Sequence, residues 1–347
     1  MSSKVGVPQK EVLTTQKEAM ELILKSDIFE DSVYRKKFNK DFLTEELLEN
    51  RIQVQSSHVK GFIKELQLNG VYVVCKDINA PGGYSYKVEN NYETFKLHFE
   101  ISGNYSCFYK EEEEPLVVIP EYHYNMFYLP RTNGRYDYMG SPRRTLELFF
   151  TLGFVKKIAG DNYGSVLERI NNAINSGKPY VFWDRPCPIS HDMFQTLQEI
   201  IGCTFTGTLK QSYLQSKITG LLVEVLVEAN KKPVRAQEIK LPKPDLAGLH
   251  LVEEYIKSNL NKTLTIEELA TKAGFNTSKL KRDFKRVHGT TVFKYITRLR
   301  MEKARGLIRD EGFTIAQAAY EVGYVNPQHF TNAFKRTLGY LPSTLKK

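Results

Sequence analysis

Two stretches near the C-terminus hold side chains suited to hydrogen-bonding the edges of nucleic-acid bases. In the first, Leu280 and Phe284 share one helical face, so Ser278, Lys279, Lys281 and Arg282 point away from it. Lys and Arg offer donors that fit guanine O6 and N7. In the second, Pro327, Gln328, Thr331 and Asn332 take the corresponding positions beside Phe330 and Phe334, and Gln and Asn favour adenine. Lys285, Arg286, Lys335 and Arg336 follow on the same two helices. With Lys279 they suit phosphate oxygens, contacts that set affinity and register rather than sequence.

Other chemistry is thinly represented. His98 and His123, near Glu100 and Glu121, lack a second histidine one residue away, the spacing usual in metal-bearing cupin barrels. Structural or surface roles are expected for them rather than metal ligation. Cys75, Cys107, Cys187 and Cys203 show no CxxC spacing, which favours a reducing cytoplasm over a disulfide framework. The run Glu111 to Glu114 reads as a solvated loop. No catalytic residue, metal or cofactor is expected.

The elements that must position the base-edge donors occur as an internal repeat, the feature to read first. Thr265, Ile266, Ala270 and Gly274 recur 49 residues on as Thr314, Ile315, Ala319 and Gly323. After the turn the offset is 50, matching Leu280, Phe284 and Gly289 to Phe330, Phe334 and Gly339. Each copy reads as helix, glycine turn, helix. Thr265 and Thr314 suit N-caps, with Glu268 and Gln317 three residues on for a capping box, and Gly274 and Gly323 suit the left-handed residue that ends a helix. This is the helix-turn-helix pattern, whose second helix enters the major groove. Between the copies, Phe293, Ile296, Leu299, Ala304, Leu307 and Ile308 predict a helix over 291–309. At about 1.5 Å per residue it is on the order of 28 Å long, close to one duplex turn. Two recognition helices so spaced suit successive major grooves.

Charge supports a polyanionic partner. The chain carries a net +9, and residues 246–347 hold 18 Lys+Arg against 9 Asp+Glu. All the excess therefore sits in the repeat segment, and the remainder is neutral.

On Ile266, Leu269, Ala270, Phe284, Lys285, Tyr295, Leu299, Arg300, Ala304, Leu307, Ala319, Gly323, Phe334, Gly339 and Pro342, the C-terminal segment resembles the DNA-binding domain of AraC/XylS-family transcription regulators. The resemblance covers residues 246–347. It implies base-facing roles for Ser278, Lys281 and Arg282 and for Pro327, Gln328, Thr331 and Asn332, with RNA polymerase as a further partner. Asn332 stands beside Ala333 where many members carry arginine, and Lys346-Lys347 replaces a common tyrosine-arginine end. A looser resemblance, on Pro188, His191, Leu197, Cys203, Phe205, Gly207, Tyr213 and Lys217, is to the pyochelin-regulator (PchR-like) branch. It implies a small effector, a ferric siderophore among the candidates.

Upstream, 11–26 and 42–50 read as helical within a polar N-terminal extension, 1–58. Short aromatic and β-branched runs at 62–68, 71–75, 95–101, 104–109, 125–129 and 146–150 follow, with turn signals at Pro81-Gly82-Gly83, Ser102-Gly103-Asn104 and Asn133-Gly134. They predict a β-barrel over 59–160, which the family context makes cupin-like, and such barrels house small ligands. Residues 161–230 read as helices, the last carrying Leu214, Ile218, Leu221 and Val225 as a stripe for packing on the barrel or for a homodimer seam. Lys231 to Asp245 reads as a linker.

The expected architecture is multidomain α+β: a cupin-like barrel with flanking helices, then an all-α double helix-turn-helix. No membrane span or signal peptide is visible. The expected function is a cytoplasmic, sequence-specific transcription activator with a small-molecule sensor. Its rivals are a constitutive DNA-binding protein without effector and a metal-dependent cupin enzyme fused to a DNA-binding tail.

Overall fold

The computed structural model describes residues 19–345 except 27, 30, 31, 57, 161–163 and 232–240. Strands β1 (Met20–Lys25), β2 (Val33–Phe38), β3 (Leu48–Gln55), β4 (Lys60–Leu68), β5 (Val71–Asn79) and β6 (Tyr84–Asn90) open the chain. They are followed by β7 (Thr94–Tyr109), β8 (Val117–Ile119), β9 (His123–Leu129) and β10 (Asn133–Phe150). Two short strands, β11 (Tyr180–Val181) and β12 (Cys187–Pro188), complete a curled sheet in which every pairing is antiparallel.

Two long strands make the curl. The first half of β10 pairs with β6 and the second half with β5, while β7 runs beside both halves. The register slips between Met139 and Arg144, opposite Gly103 at φ 103°. A Cβ on Gly103 would sit 2.9 Å from the Met139 carbonyl oxygen, so the bend there needs glycine. The turn signals at 102–104 and 133–134 are corrected accordingly: they lie inside β7 and at the start of β10.

Alternation sorts the two faces. Val71, Val73 and Cys75 of β5, Phe95, Leu97 and Phe99 of β7, and Leu146, Leu148 and Phe150 of β10 enter one core with the helices. The intervening Tyr72 and Val74 enter a second core inside the curl, with Tyr86, Tyr105, Tyr136 and Tyr138.

The N-terminal extension is not helical where it is described. Residues 11–18 of the expected first helix lie outside the described residues, and 20–25 form β1. The second expected helix, 42–50, is a short 3-10 turn, Lys40–Phe42, leading into β3. Short apolar runs satisfy helical and strand spacing alike, and pairing with β6 and β4 decides.

Helices α1 (Leu152–Ala159), α2 (Gly164–Ser176), α3 (His191–Ile201) and α4 (Gly207–Asn230) cover the outer face of the sheet. Leu214, Ile218, Leu221 and Val225 are buried in that core. The stripe packs within its own chain, so the homodimer use of those four residues is corrected. Most of the expected linker, 232–240, lies outside the described residues, and helix has begun by Lys243. The C-terminal part is all helical: α5 (Lys243–Ser258), α6 (Ile266–Ala273), α7 (Thr277–His288), α8 (Val292–Asp310), α9 (Ile315–Glu321) and α10 (Pro327–Leu338). No helix among the described residues is long and apolar enough to cross a membrane.

Candidate nucleic-acid interface

The two repeat copies fold as paired helix-turn-helix units with local caps. The Thr265 hydroxyl accepts from the Glu268 N–H at 3.2 Å. Thr314 does the same for Gln317, whose side chain reciprocates to the Thr314 N–H at 2.9 Å, closing the capping box. In the first copy Glu268 accepts from the Tyr255 hydroxyl at 2.5 Å and closes no box. Gly274 ends α6 in the left-handed conformation, φ 68°. Asn276 and Asn326 then cap α7 and α10 through their side-chain oxygens.

Leu280 and Phe284 anchor α7, and Phe330 and Phe334 anchor α10, all fully buried. The opposite faces are open. Ser278, Lys281, Arg282, Lys285 and Arg286 are exposed on α7, as are Gln328, Asn332, Lys335 and Arg336 on α10. Several of the expected contact residues are engaged within the protein, Lys279, Thr331 and Arg282 among them. Lys279 pairs with Asp245 of α5 at 2.7 Å and lies over the Phe275 ring, so its ammonium is already partnered. Thr331 donates its hydroxyl to the Pro327 carbonyl at 2.9 Å. The Arg282 side chain, 70% exposed, donates from Nε and Nη2 to the buried carboxylate of Asp283 at 2.8 and 3.1 Å. That grip leaves its outer N–H pair facing solvent. Pro327 is the first residue of α10, and Arg336 stands apart from the others by lining a cavity shared with α3.

Sequence reasoning misses Val325, which is 91% exposed in the turn before α10 and can meet a thymine methyl. It also misses a second face of α8. Arg298, Glu302 and Arg305 are buried, and they meet the sheet domain with Arg309. The Arg144 guanidinium donates to Glu302 at 2.8 Å and to Gln198 at 3.1 Å. Asp77 of β5 receives Arg305 and Arg309, each at 2.6 Å, and their charges hold its carboxyl well below the usual range despite burial. Arg298 lies against the Tyr122 ring. The signal is present in the sequence, as charges at three- and four-residue spacing on one helix face.

Strand alternation ties this junction to the inside of the curl. Asp77 faces α8, while its neighbour Lys76 faces inward and donates to Tyr86 and Tyr138, each at 2.5 Å, and to Glu147. Lys96 meets the other Glu147 oxygen at 2.8 Å and the Tyr105 hydroxyl at 3.0 Å. Burial pulls the Lys76 ammonium down to about 8 and pushes Glu100 up to about 8. Burial also lowers His98, which stacks on Tyr105 and bonds Glu100 at 2.8 Å. His123 bonds the Glu121 carbonyl oxygen at 2.8 Å. No group of three or more metal-ligating side chains is found among the described residues.

The fold and site define a class: a DNA-binding regulator with paired helix-turn-helix units and an attached sheet domain. Residues 61–241, more than half the chain, match the family described as the regulatory protein PchR N-terminal domain, and 269–347 match a helix-turn-helix domain. The chain belongs to the AraC-type transcription regulators, within the group that carries the PchR N-terminal domain. Among curated relatives, it is 29% identical over 125 residues to the bifunctional transcriptional activator/DNA repair enzyme AdaA of Bacillus subtilis. That match takes in 36% of this chain and 59% of AdaA. The transcriptional activator RhaS of Escherichia fergusonii is 26% identical over 98 residues, 28% of this chain and 35% of RhaS. The chain thus spans about a third to three-fifths of these relatives. Of solved structures, an AraC-type regulator from Chromobacterium violaceum is 24% identical, covering 29% of this chain and 90% of that one at a TM-score of 0.28. Apo ToxT K231A from Vibrio cholerae is 18% identical, covering 79% and 96%, at a TM-score of 0.33.

Proposed function

We propose that this chain is a sequence-specific transcription activator of the cytoplasm whose curled sheet, a cupin-like sensor, reads a small molecule. Occupancy of the sensor biases how α7 and α10 are presented to two successive major grooves, and RNA polymerase is the downstream partner. One observation carries the reading. The two recognition helices of a repeat each expose base-edge donors above a buried aromatic anchor, in the segment that holds all the excess positive charge. Ser278, Lys281 and Arg282 read bases on one side, and Gln328, Asn332 and Val325 on the other. Lys285, Arg286 and Lys335 meet phosphates. Lys279 and Arg336 leave that set, the first held by Asp245 and the second facing α3.

Selection of bound duplexes from a random pool, followed by a salt titration, tests it. Two enriched half-sites about one helical turn apart are expected, with affinity falling linearly in log[salt]. A pool that stays random, or an affinity indifferent to salt, removes sequence-specific DNA binding.

A second reading, DNA binding without an effector, draws on the filled interior of the curl. The cavity there is about 40 Å³, room for a few waters and far below the roughly 300 Å³ of an ordinary ligand site. DNA affinity of the full chain unchanged by any metabolite extract would favour it.

A further inference from the structure

The two helix-turn-helix units have separate apolar cores, and α8 runs from one into the other. Val292, Tyr295, Ile296 and Leu299 join the core that holds Leu280 and Phe284 of the first unit. Met301, Ala304, Leu307 and Ile308 join the core that holds Phe330 and Phe334 of the second. Arg300 stands where one core gives way to the other. A lone helix between two cores is free to curve, so a fixed relation between the recognition helices needs a second point of support.

Arg300 supplies that support. Its Nε donates to the Leu260 carbonyl at 2.8 Å and its Nη2 to the Lys262 carbonyl at 2.6 Å, both in the loop between α5 and α6 of the first unit. The same loop lies against the turn of the second unit. A Cβ on Gly323 would sit 2.7 Å from the Asn261 carbonyl oxygen and 3.2 Å from Nη2 of Arg300. Its repeat counterpart Gly274 is also left-handed, φ 68° against 81°, yet a Cβ there would meet nothing within 4 Å. A left-handed turn accounts for both glycines, whereas close approach to the other unit is particular to Gly323.

We propose that the Arg300 brace selects the spacing between the two half-sites, which makes Arg300 a specificity-determining residue that reads no base itself. One base pair added between half-sites carries the second about 3.4 Å along the duplex and about a tenth of a turn around it. A brace that seats the first unit's loop on the second unit's turn resists that displacement. Without it, curvature of α8 absorbs the change. The inference rests on the proposal that α7 and α10 both read bases, and adds which arrangement of their sites is accepted.

The test uses the full chain and the paired half-sites it selects from a random duplex pool. Duplexes with the gap shortened or lengthened by one base pair are then titrated at a single salt concentration. The parent chain is expected to lose at least about tenfold in affinity when the gap changes. Arg300→Met keeps the apolar stem and neither donor, and should cut that discrimination to about threefold or less. Base preference inside each half-site should stay as it was, and Leu299 and Met301 keep both cores filled. Arg300→Lys keeps the charge without the fork and should fall between the two. Gly323→Ala disturbs the same contact from the other side and should also flatten the dependence on the gap. Full spacing discrimination in both Arg300→Met and Gly323→Ala overturns the brace. So does an equal loss of affinity at every gap, which would make Arg300 a support of the fold alone. A parent pool without paired half-sites removes the base-reading proposal and the brace with it, so the two failures are told apart before any variant is made.

Discussion

At the scale of single residues, the proposed base-reading role of Arg282 makes Asp283, buried beneath it, the residue that would orient it. Its carboxylate is buried and holds Nε and Nη2 of Arg282, so the guanidinium presents its outer N–H pair in one orientation. Arg282→Ala is expected to cost about 1–3 kcal/mol on the preferred duplex and to relax one base position. Asp283→Asn should widen preference at that same position with a smaller loss of affinity, read on a panel of single-base variants. A uniform loss on all variants would assign Arg282 to phosphate. The outward positions on α7 and α10 are legible in the sequence because helical spacing fixes which side chains oppose Leu280 and Phe334. The partners of Lys279 and Thr331 are not, since each depends on a tertiary neighbour or a rotamer that spacing does not encode. Glu121 gives a second residue-scale expectation. Burial, with Glu253 and Glu302 nearby, raises its carboxyl from the ordinary 4.5 to about 7 against the pull of Lys257. Between those values the folded chain keeps a proton that the unfolded chain has released, so stability falls as pH rises through the window. Glu100, raised by burial to about 8, adds to the slope in the same window, so Glu121's share is read as the difference in slope between the parent chain and Glu121→Gln, denatured at pH 4.5 and 7.5, on the order of 1–3 kcal/mol.

At the scale of elements, repetition makes the C-terminal part readable and its absence hides the rest. Two copies of one pattern confirm each other's caps, turns and anchors, so Thr314, Gly323 and Phe334 can be placed from Thr265, Gly274 and Phe284. The copies differ in one physical detail with a measurable consequence. Thr314 and Gln317 exchange two hydrogen bonds, while Thr265 makes one and Glu268 goes to Tyr255. Thr314→Ala should therefore destabilise α9 by about 1–2 kcal/mol, more than Thr265→Ala destabilises α6, when the two variants are unfolded in urea side by side. Equal losses would mean the reciprocal bond adds nothing. Strands β1, β2 and β3 carry no such internal check. Met20, Leu22, Ile23 and Leu24 satisfy helical and strand spacing at once, and it is the pairing with β2 along the whole strand, and with Asn90, Glu89 and Val88 of β6, that chooses between them.

At the scale of the whole molecule, positive charge falls into two populations that respond differently to salt. Lys281, Lys285 and Lys335 are exposed and act through water, where ions screen them. Arg144, Arg298 and Arg305 are buried at the junction between sheet and helices, beyond the reach of that screening. The apolar core runs through the same junction, joining Leu146 and Phe99 of the sheet to Leu249, Leu280 and Phe284 of the helical part. Docking therefore rests on packing, with the ionic contacts fixing which arrangement is taken. A double-mutant cycle on Asp77 and Arg305 separates these roles. Asp77→Leu removes the carboxylate that Arg305 and Arg309 share and leaves Arg305 only Glu302, at 2.9 Å, so a loss of about 3 kcal/mol is expected; Arg305→Met leaves Asp77 with Arg309 and should cost less. The double variant removes both halves of one contact in a network that also holds Glu302 and Arg309, so it should lose less than the two single variants added together. Its DNA affinity should keep the parent salt slope, because no phosphate-facing charge has changed. If the double variant is instead as unstable as the two singles added together, the pair is not a coupled contact and the junction is held by packing alone.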